Sequence, residues 1–169
     1  MISIQIQTPA RDELKKCNDI IVGIKDYQKK NWAIGLNGDT LQPDGFLAFF
    51  TERQLSFQYY VRSTKTKVNI GSPDAYDINI HTVEDYINNV KSFEKTAVNN
   101  TINSLEFYRS KNWAIGLNGD TLQPDNFLPF FAVRNLPFAY YVRNAKLSLG
   151  DASAYDANIK TLQDYLASL

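Results

Sequence analysis

Ile2, Ile4 and Ile6 alternate with Ser3, Gln5 and Gln7, the period-two pattern of a half-buried strand. Thr8-Pro9 reads as a helix start, a capping hydroxyl followed by proline at the first helical position. Leu14, Cys17, Ile21 and Ile24 follow at helical spacing. Trp32, Ile34 and Leu36 then alternate with Ala33 and Gly35 and run into Asn37-Gly38, which predicts a type I′ hairpin with Ile34 opposite Leu41. Gln42-Pro43 or Asp44 opens a short helix, Phe46 to Arg53. Leu55, Phe57, Tyr59 and Val61 mark one face of a strand over 55–62, and a short strand from Lys67 to Ile70 pairs back onto it. Thr82 with an acid three residues on reads as an N-cap, and so does Thr161. After Thr82 the apolar spacing runs through Val90, Val98, Ile102 and Leu105 with no Gly or Pro.

This order of elements is written twice. Residues 30–44 and 111–125 are both KNWAIGLNGDTLQPD, identical at all fifteen positions at an offset of 81. The flanks have drifted. Residues 45–62 and 126–143 share 11 of 18 positions, whereas 12–29 and 93–110 share four: Glu13/Glu94, Asn18/Asn99, Ile21/Ile102 and Tyr27/Tyr108. The expected fold is α+β: a tandem internal duplication of an αβαββα unit with pseudo-twofold symmetry, short antiparallel strands packed by helices. Unit 1 is placed at 1–81, with an extra N-terminal strand, and unit 2 at 82–169. A continuous helix over about 82–110 joins them. A unit of about 80 residues has a marginal core alone, so one compact globule is expected.

Comparing the units locates candidate binding residues. The short helix changes along one stripe, at Ala48/Pro129, Thr51/Ala132 and Glu52/Val133. The solvent face of the strand changes at Ser56/Pro137 and Gln58/Ala139 but keeps Tyr60/Tyr141 and Arg62/Arg143. Arg53 and Arg134 stand beside a buried stripe and need a partner, for which the doubled Asp39 and Asp44 are the nearest carboxylates. Within the identical segment, Asn31, Trp32, Asp39, Gln42 and Asp44, repeated as Asn112, Trp113, Asp120, Gln123 and Asp125, complete a candidate surface. Three readings of that segment compete: a fold element with a buried Trp and a capped helix, a binding surface present twice, or gene conversion.

Composition narrows the function. Apolar content is 44% and charge 21%, with zero net charge, so no basic footprint for nucleic acid is present. No apolar run approaches a membrane span, and MISIQIQTP lacks the basic and apolar regions of a signal peptide. One cysteine allows no internal disulfide, and a cytoplasmic location is expected. His81 is the single histidine and its counterpart is Lys160, so no doubled catalytic triad or zinc site can be assembled. Neither an EF-hand loop nor a phosphate loop is present. The expectation is a protein that is not an enzyme, holds no metal and no cofactor, and acts by occupying another protein, as an adaptor, inhibitor or immunity-type module. Tyr, Trp, Phe and Arg, the residue types enriched at binding hot spots, are plentiful. Unit 2 has become more apolar along the changed stripe, which places the expected contact on Val133, Ala139, Tyr141 and Arg143. The alternative is a small-molecule binder with one polar, aromatic pocket per unit.

Overall fold

The computed structural model describes residues 10–169. The predicted strand at Ile2–Ile6 and the Thr8-Pro9 helix start lie outside the described residues. In chain order the elements are α1 (Ala10–Lys30), α2 (Gly45–Glu52), β1 (Tyr60–Arg62), β2 (Asn69–Gly71), α3 (Asp74–Lys111), α4 (Phe127–Ala132), β3 (Tyr141–Arg143), β4 (Ser148–Gly150) and α5 (Ser153–Ser168). The fold is α+β, with five helices and two antiparallel two-stranded sheets, β1-β2 and β3-β4, among the described residues. The chain divides into two compact units at Val90/Lys91, inside α3.

In the first unit α1 buries Leu14, Cys17, Ile21 and Ile24, the stripe its spacing predicts. Phe49 and Phe50 of α2, Val61 of β1, and Tyr76, Val83 and Val90 of α3 are also buried. Burial pushes the Cys17 thiol up to about 11, so it is a small packed hydrophobe and a poor nucleophile. In the second unit one apolar cluster joins Val98, Ile102 and Leu105 of α3 to Phe127 and Phe131 of α4 and to Tyr155, Ile159 and Leu162 of α5. In sequence register the second half of α3 corresponds to α1, and its first half to α5.

Three local expectations give way. Thr82 and Thr161 do not cap helices. Each lies inside one, donating its hydroxyl to the carbonyl a turn back, Ile78 and Ala157 at 3.0 Å. Asn37-Gly38 does not form a two-residue turn. Ile34 pairs with Tyr60, and Leu36 pairs with Pro43. The chain reverses through a longer loop because the Asn37 side chain accepts from the Asp39 and Thr40 amides at 2.9 and 3.2 Å, which widens the turn. Leu41, not Gly38, takes the left-handed conformation, with φ 56°.

The third concerns residues 55–59. Leu55, Phe57 and Tyr59 alternate in burial with exposed Ser56 and Gln58, but the segment lies outside any strand. A side chain replaces the neighbouring strand. Buried Asn79 accepts from the Gln58 N–H at 2.9 Å and donates to the Gln58 carbonyl at 2.8 Å. Asn158 holds Ala139 in the same way, both bonds at 2.8 Å. Asn79→Ala therefore leaves a part-buried peptide unit unpaired. It is expected to cost about 2–3 kcal/mol, read from urea denaturation, with faster hydrogen exchange at the Gln58 amide.

Candidate functional site

The identical segment is a tie between helix and sheet. Helix α1 ends because Asn31 enters the left-handed region at φ 52°, a conformation asparagine tolerates. Asn112 does the same at φ 53°. The Trp32 amide bonds the Tyr27 carbonyl at 3.0 Å, and the Tyr76 hydroxyl donates to the Trp32 carbonyl. Ile34 and Tyr60 exchange backbone bonds at 2.9 and 3.2 Å. Gly35, at φ 95°, passes beneath the rings of Phe57 and Tyr59, where a Cβ would meet ring atoms at 2.5–2.8 Å. Asp44 closes the segment: one carboxylate oxygen accepts from the Gly35 amide at 2.6 Å and the other caps α2 through the Leu47 amide at 3.1 Å. Asp125 repeats this on Gly116 (2.6 Å), Phe127 (3.0 Å) and Leu128 (3.3 Å).

The candidate residues fall into different environments. Asp44 and Asp125 are engaged in the fold. Asp39, Gln42, Asp120 and Gln123 are exposed, and their side chains make no hydrogen bond or ion pair among the described residues. Along the chain the Ile34–Tyr60 pairing separates them from Trp32. Tyr60, expected on a solvent face, is buried with its ring edge-on to Tyr76, 5.6 Å between centroids. Tyr141 is half-buried against Tyr155 in the same geometry. Arg62 and Arg143 are exposed and lie over these tyrosines, 4.9 and 5.1 Å from the ring centroids. Each also donates to its own sheet, Arg62 to the Gly71 carbonyl at 2.7 Å and Arg143 to that of Gly150 at 2.5 Å. Ala139 is half-buried, and Val133 is exposed at the end of α4.

Neither arginine beside the buried stripe pairs with Asp39 or Asp44. Arg53 grips Glu13 of α1 through Nε (2.5 Å) and Nη2 (3.1 Å) and donates Nη1 to the Phe49 carbonyl at 3.1 Å. Its guanidinium lies 3.7 Å from the Phe49 ring centroid. Arg134 repeats this with Glu94 (2.6 Å) and the Phe130 carbonyl (3.0 Å). The signal for these partners is present in the sequence, since Glu13/Glu94 is one of four identities in an otherwise drifted helix. Burial pushes the Glu13 carboxyl up, but hydrogen bonds from Arg53 and Tyr86 and the charge of Arg53 outweigh that and hold it below its ordinary value.

Trp32 and Trp113 are not buried, being 49% and 48% exposed. Each stands edge-on to a helix tyrosine, Tyr27 or Tyr108, at 5.2 Å. Their surroundings differ. In the first unit Lys30, paired with Asp26 at 2.8 Å, lies 4.4 Å from the Trp32 ring centroid. In the second, Phe107 replaces Asp26, is 51% exposed, and packs edge-on to Trp113 at 5.6 Å. The pattern recurs: exposed Phe93 (55%) stands at the position of Asp12, and exposed Val133 (60%) at that of Glu52. Three solvated carboxylates of the first unit are thus three exposed apolar side chains in the second. Phe93 and Phe107 escape a reading confined to the best-kept segment, because they lie in the drifted helix.

Among the described residues no three His, Cys, Asp or Glu side chains group to hold a metal, and no helix is long and apolar enough to cross a membrane. Compared with known protein families, curated proteins and solved structures, the chain matches none.

Proposed function

We propose that the chain is a tandem duplication of one αβαββα unit whose second copy has been turned to partner binding, making it a non-catalytic protein-binding module. The observation that carries this reading is the exchange of Asp12, Asp26 and Glu52 for Phe93, Phe107 and Val133. Exposed aromatic and aliphatic side chains are costly to keep in water, and a fold that works with carboxylates at these positions gains no core from them. Phe107 packed edge-on to Trp113 at 5.6 Å has the chemistry of a binding hot spot. The proposed contact residues keep Val133 and Trp113 of the sequence-derived set and add Phe93 and Phe107.

The test restores the residues of the first unit. A tagged chain captures its partner from host lysate, and affinity is then measured for Phe107→Asp and for Phe93→Asp combined with Val133→Glu. Each is expected to cost about 2 kcal/mol or more of binding with the circular-dichroism spectrum unchanged. Undiminished binding by the folded variants rejects the surface. A small molecule carried at two per chain in native mass spectrometry favours the ligand-binding alternative, which the pair of half-exposed tryptophans supports.

A further inference from the structure

The chain holds two Asn-Gly pairs, Asn37-Gly38 and Asn118-Gly119, inside the identical segment. We propose that Asn37 is a site of spontaneous, self-assisted deamidation, and that Asn118, in the same local sequence, is protected by Asn144.

The reaction needs three groups. The Gly38 amide nitrogen, after losing its proton to base, attacks Cγ of Asn37 and forms a new N–C bond. The Cγ–Nδ2 bond then breaks, Nδ2 taking a proton back from the conjugate acid of that base or from water to leave as ammonia, and a five-membered succinimide remains. Water then opens the ring at either carbonyl, giving aspartate or isoaspartate. In the loop, the Gly38 N–H and the Asn37 Nδ2 make no hydrogen bond among the described residues, and Asn37 is exposed. Nucleophile and leaving group therefore carry no competing bond among the described residues. The third group, Oδ1, gathers negative charge as Cγ becomes tetrahedral, and the Asp39 and Thr40 amides already donate to it at 2.9 and 3.2 Å. Two amides aimed at a developing oxyanion are the arrangement that lowers acyl-transfer barriers. Glycine adds no Cβ to obstruct the ring.

Asn118 has the same cradle, from the Asp120 and Thr121 amides at 2.9 and 3.1 Å. One contact differs. The Asn144 side-chain amide donates to the Gly119 carbonyl and pins the residue whose nitrogen must swing onto Cγ. At the matching position of the first unit stands Ser63, whose hydroxyl accepts instead from the Thr66 amide at 3.1 Å. The Gly38 carbonyl accepts no hydrogen bond among the described residues. The two sites share fifteen residues of sequence, so the difference lies in the turn that faces them, and the Asn144 and Ser63 variants test the pin within it.

The consequence is local. Isoaspartate inserts a methylene into the main chain between the two bonds that close the loop, Asn37 N–H to the Gln42 carbonyl (2.8 Å) and Leu41 N–H to the Asn37 carbonyl (2.7 Å). Either product also places a new negative charge beside Asp39.

The full chain is held in warm, mildly alkaline buffer, sampled over time and digested with trypsin. The fragments 31–53 and 112–134 differ beyond the shared segment and report the two sites separately by mass. Asn37 is expected to deamidate about fivefold faster than Asn118, the factor one neutral hydrogen bond supplies. Asn144→Ser should raise the rate at Asn118 to that of Asn37, and Ser63→Asn should slow Asn37. Equal rates in the unaltered chain, a faster Asn118, or no deamidation at Asn37 overturns the proposal. The unaltered chain decides this even if either variant folds poorly.

Discussion

Replacing Arg53 or Glu13 with alanine is expected to lower the unfolding free energy by about 3–5 kcal/mol, because it strands one charge of a buried pair. Both side chains are nearly enclosed, at 13% and 7% exposure. The Glu13 carboxylate takes two bonds from Arg53 and one from the Tyr86 hydroxyl at 2.9 Å, so its loss also orphans a buried phenol. Urea denaturation at neutral pH measures the loss. A shift under about 1 kcal/mol would mean that water or a neighbour takes over the contact. The pH dependence checks the charge itself. The Glu13 carboxyl is held below its unfolded value, so its stabilisation is complete above the unfolded pKa and drains away as pH falls through the lowered folded one. Glu13→Gln should therefore flatten the acid limb of the stability curve.

Gly71→Ala and Gly150→Ala are expected to cost about 4 kcal/mol each, at the upper end of single substitutions. Both glycines sit at positive φ, 71° and 70°, where a left-handed alanine costs about 1–2 kcal/mol by itself. The larger part is collision. A Cβ at either site would lie 1.8 Å from a backbone carbonyl oxygen, that of Tyr59 or Tyr140, so the two strands of the sheet must separate. Gly45 is the contrast. It opens α2 with nothing within 4 Å of its Cβ direction, so Gly45→Ala should be neutral or stabilising by about 0.4–1 kcal/mol through the unfolded chain. Thermal melts of the three variants decide the matter. If the first two match the third, the strands do not approach each other this closely in solution.

Periodicity made the helices legible. The spacing of Leu14, Cys17, Ile21 and Ile24 names the buried face of α1, and a helix reads its own neighbours at fixed intervals. Residues 55–59 show where that ends: the alternation is genuine, but pairing is supplied by Asn79, a side chain that no period-two rule can see. Arg53 shows another limit. Burial beside an apolar stripe demands a carboxylate, and choosing among carboxylates requires knowing that α1 returns beside α2, forty residues away. The exposed tryptophans fail for a third reason. Alternation in a short apolar segment leaves open which face is covered, and a large ring can be half-covered by a single tyrosine. As for the candidate surface, the shift from polar to apolar was visible on the short helix at Glu52/Val133, while its larger part, on α3, was hidden by the low identity of that helix.

The division at Val90/Lys91 falls inside an unbroken helix, whereas the strands of each sheet are joined by turns. Val90 and Glu94 are both buried and four residues apart, so they lie on one side of α3. The residues on either side of the division are helical, and no loop lies between them. Six residues, 63–68, link β1 to β2, and four, 144–147, link β3 to β4, so the two turns differ by two residues in length while each sheet pairs three residues in the same pattern. A sheet of this kind holds its register from the paired strands, so its turn is where a change of length is absorbed.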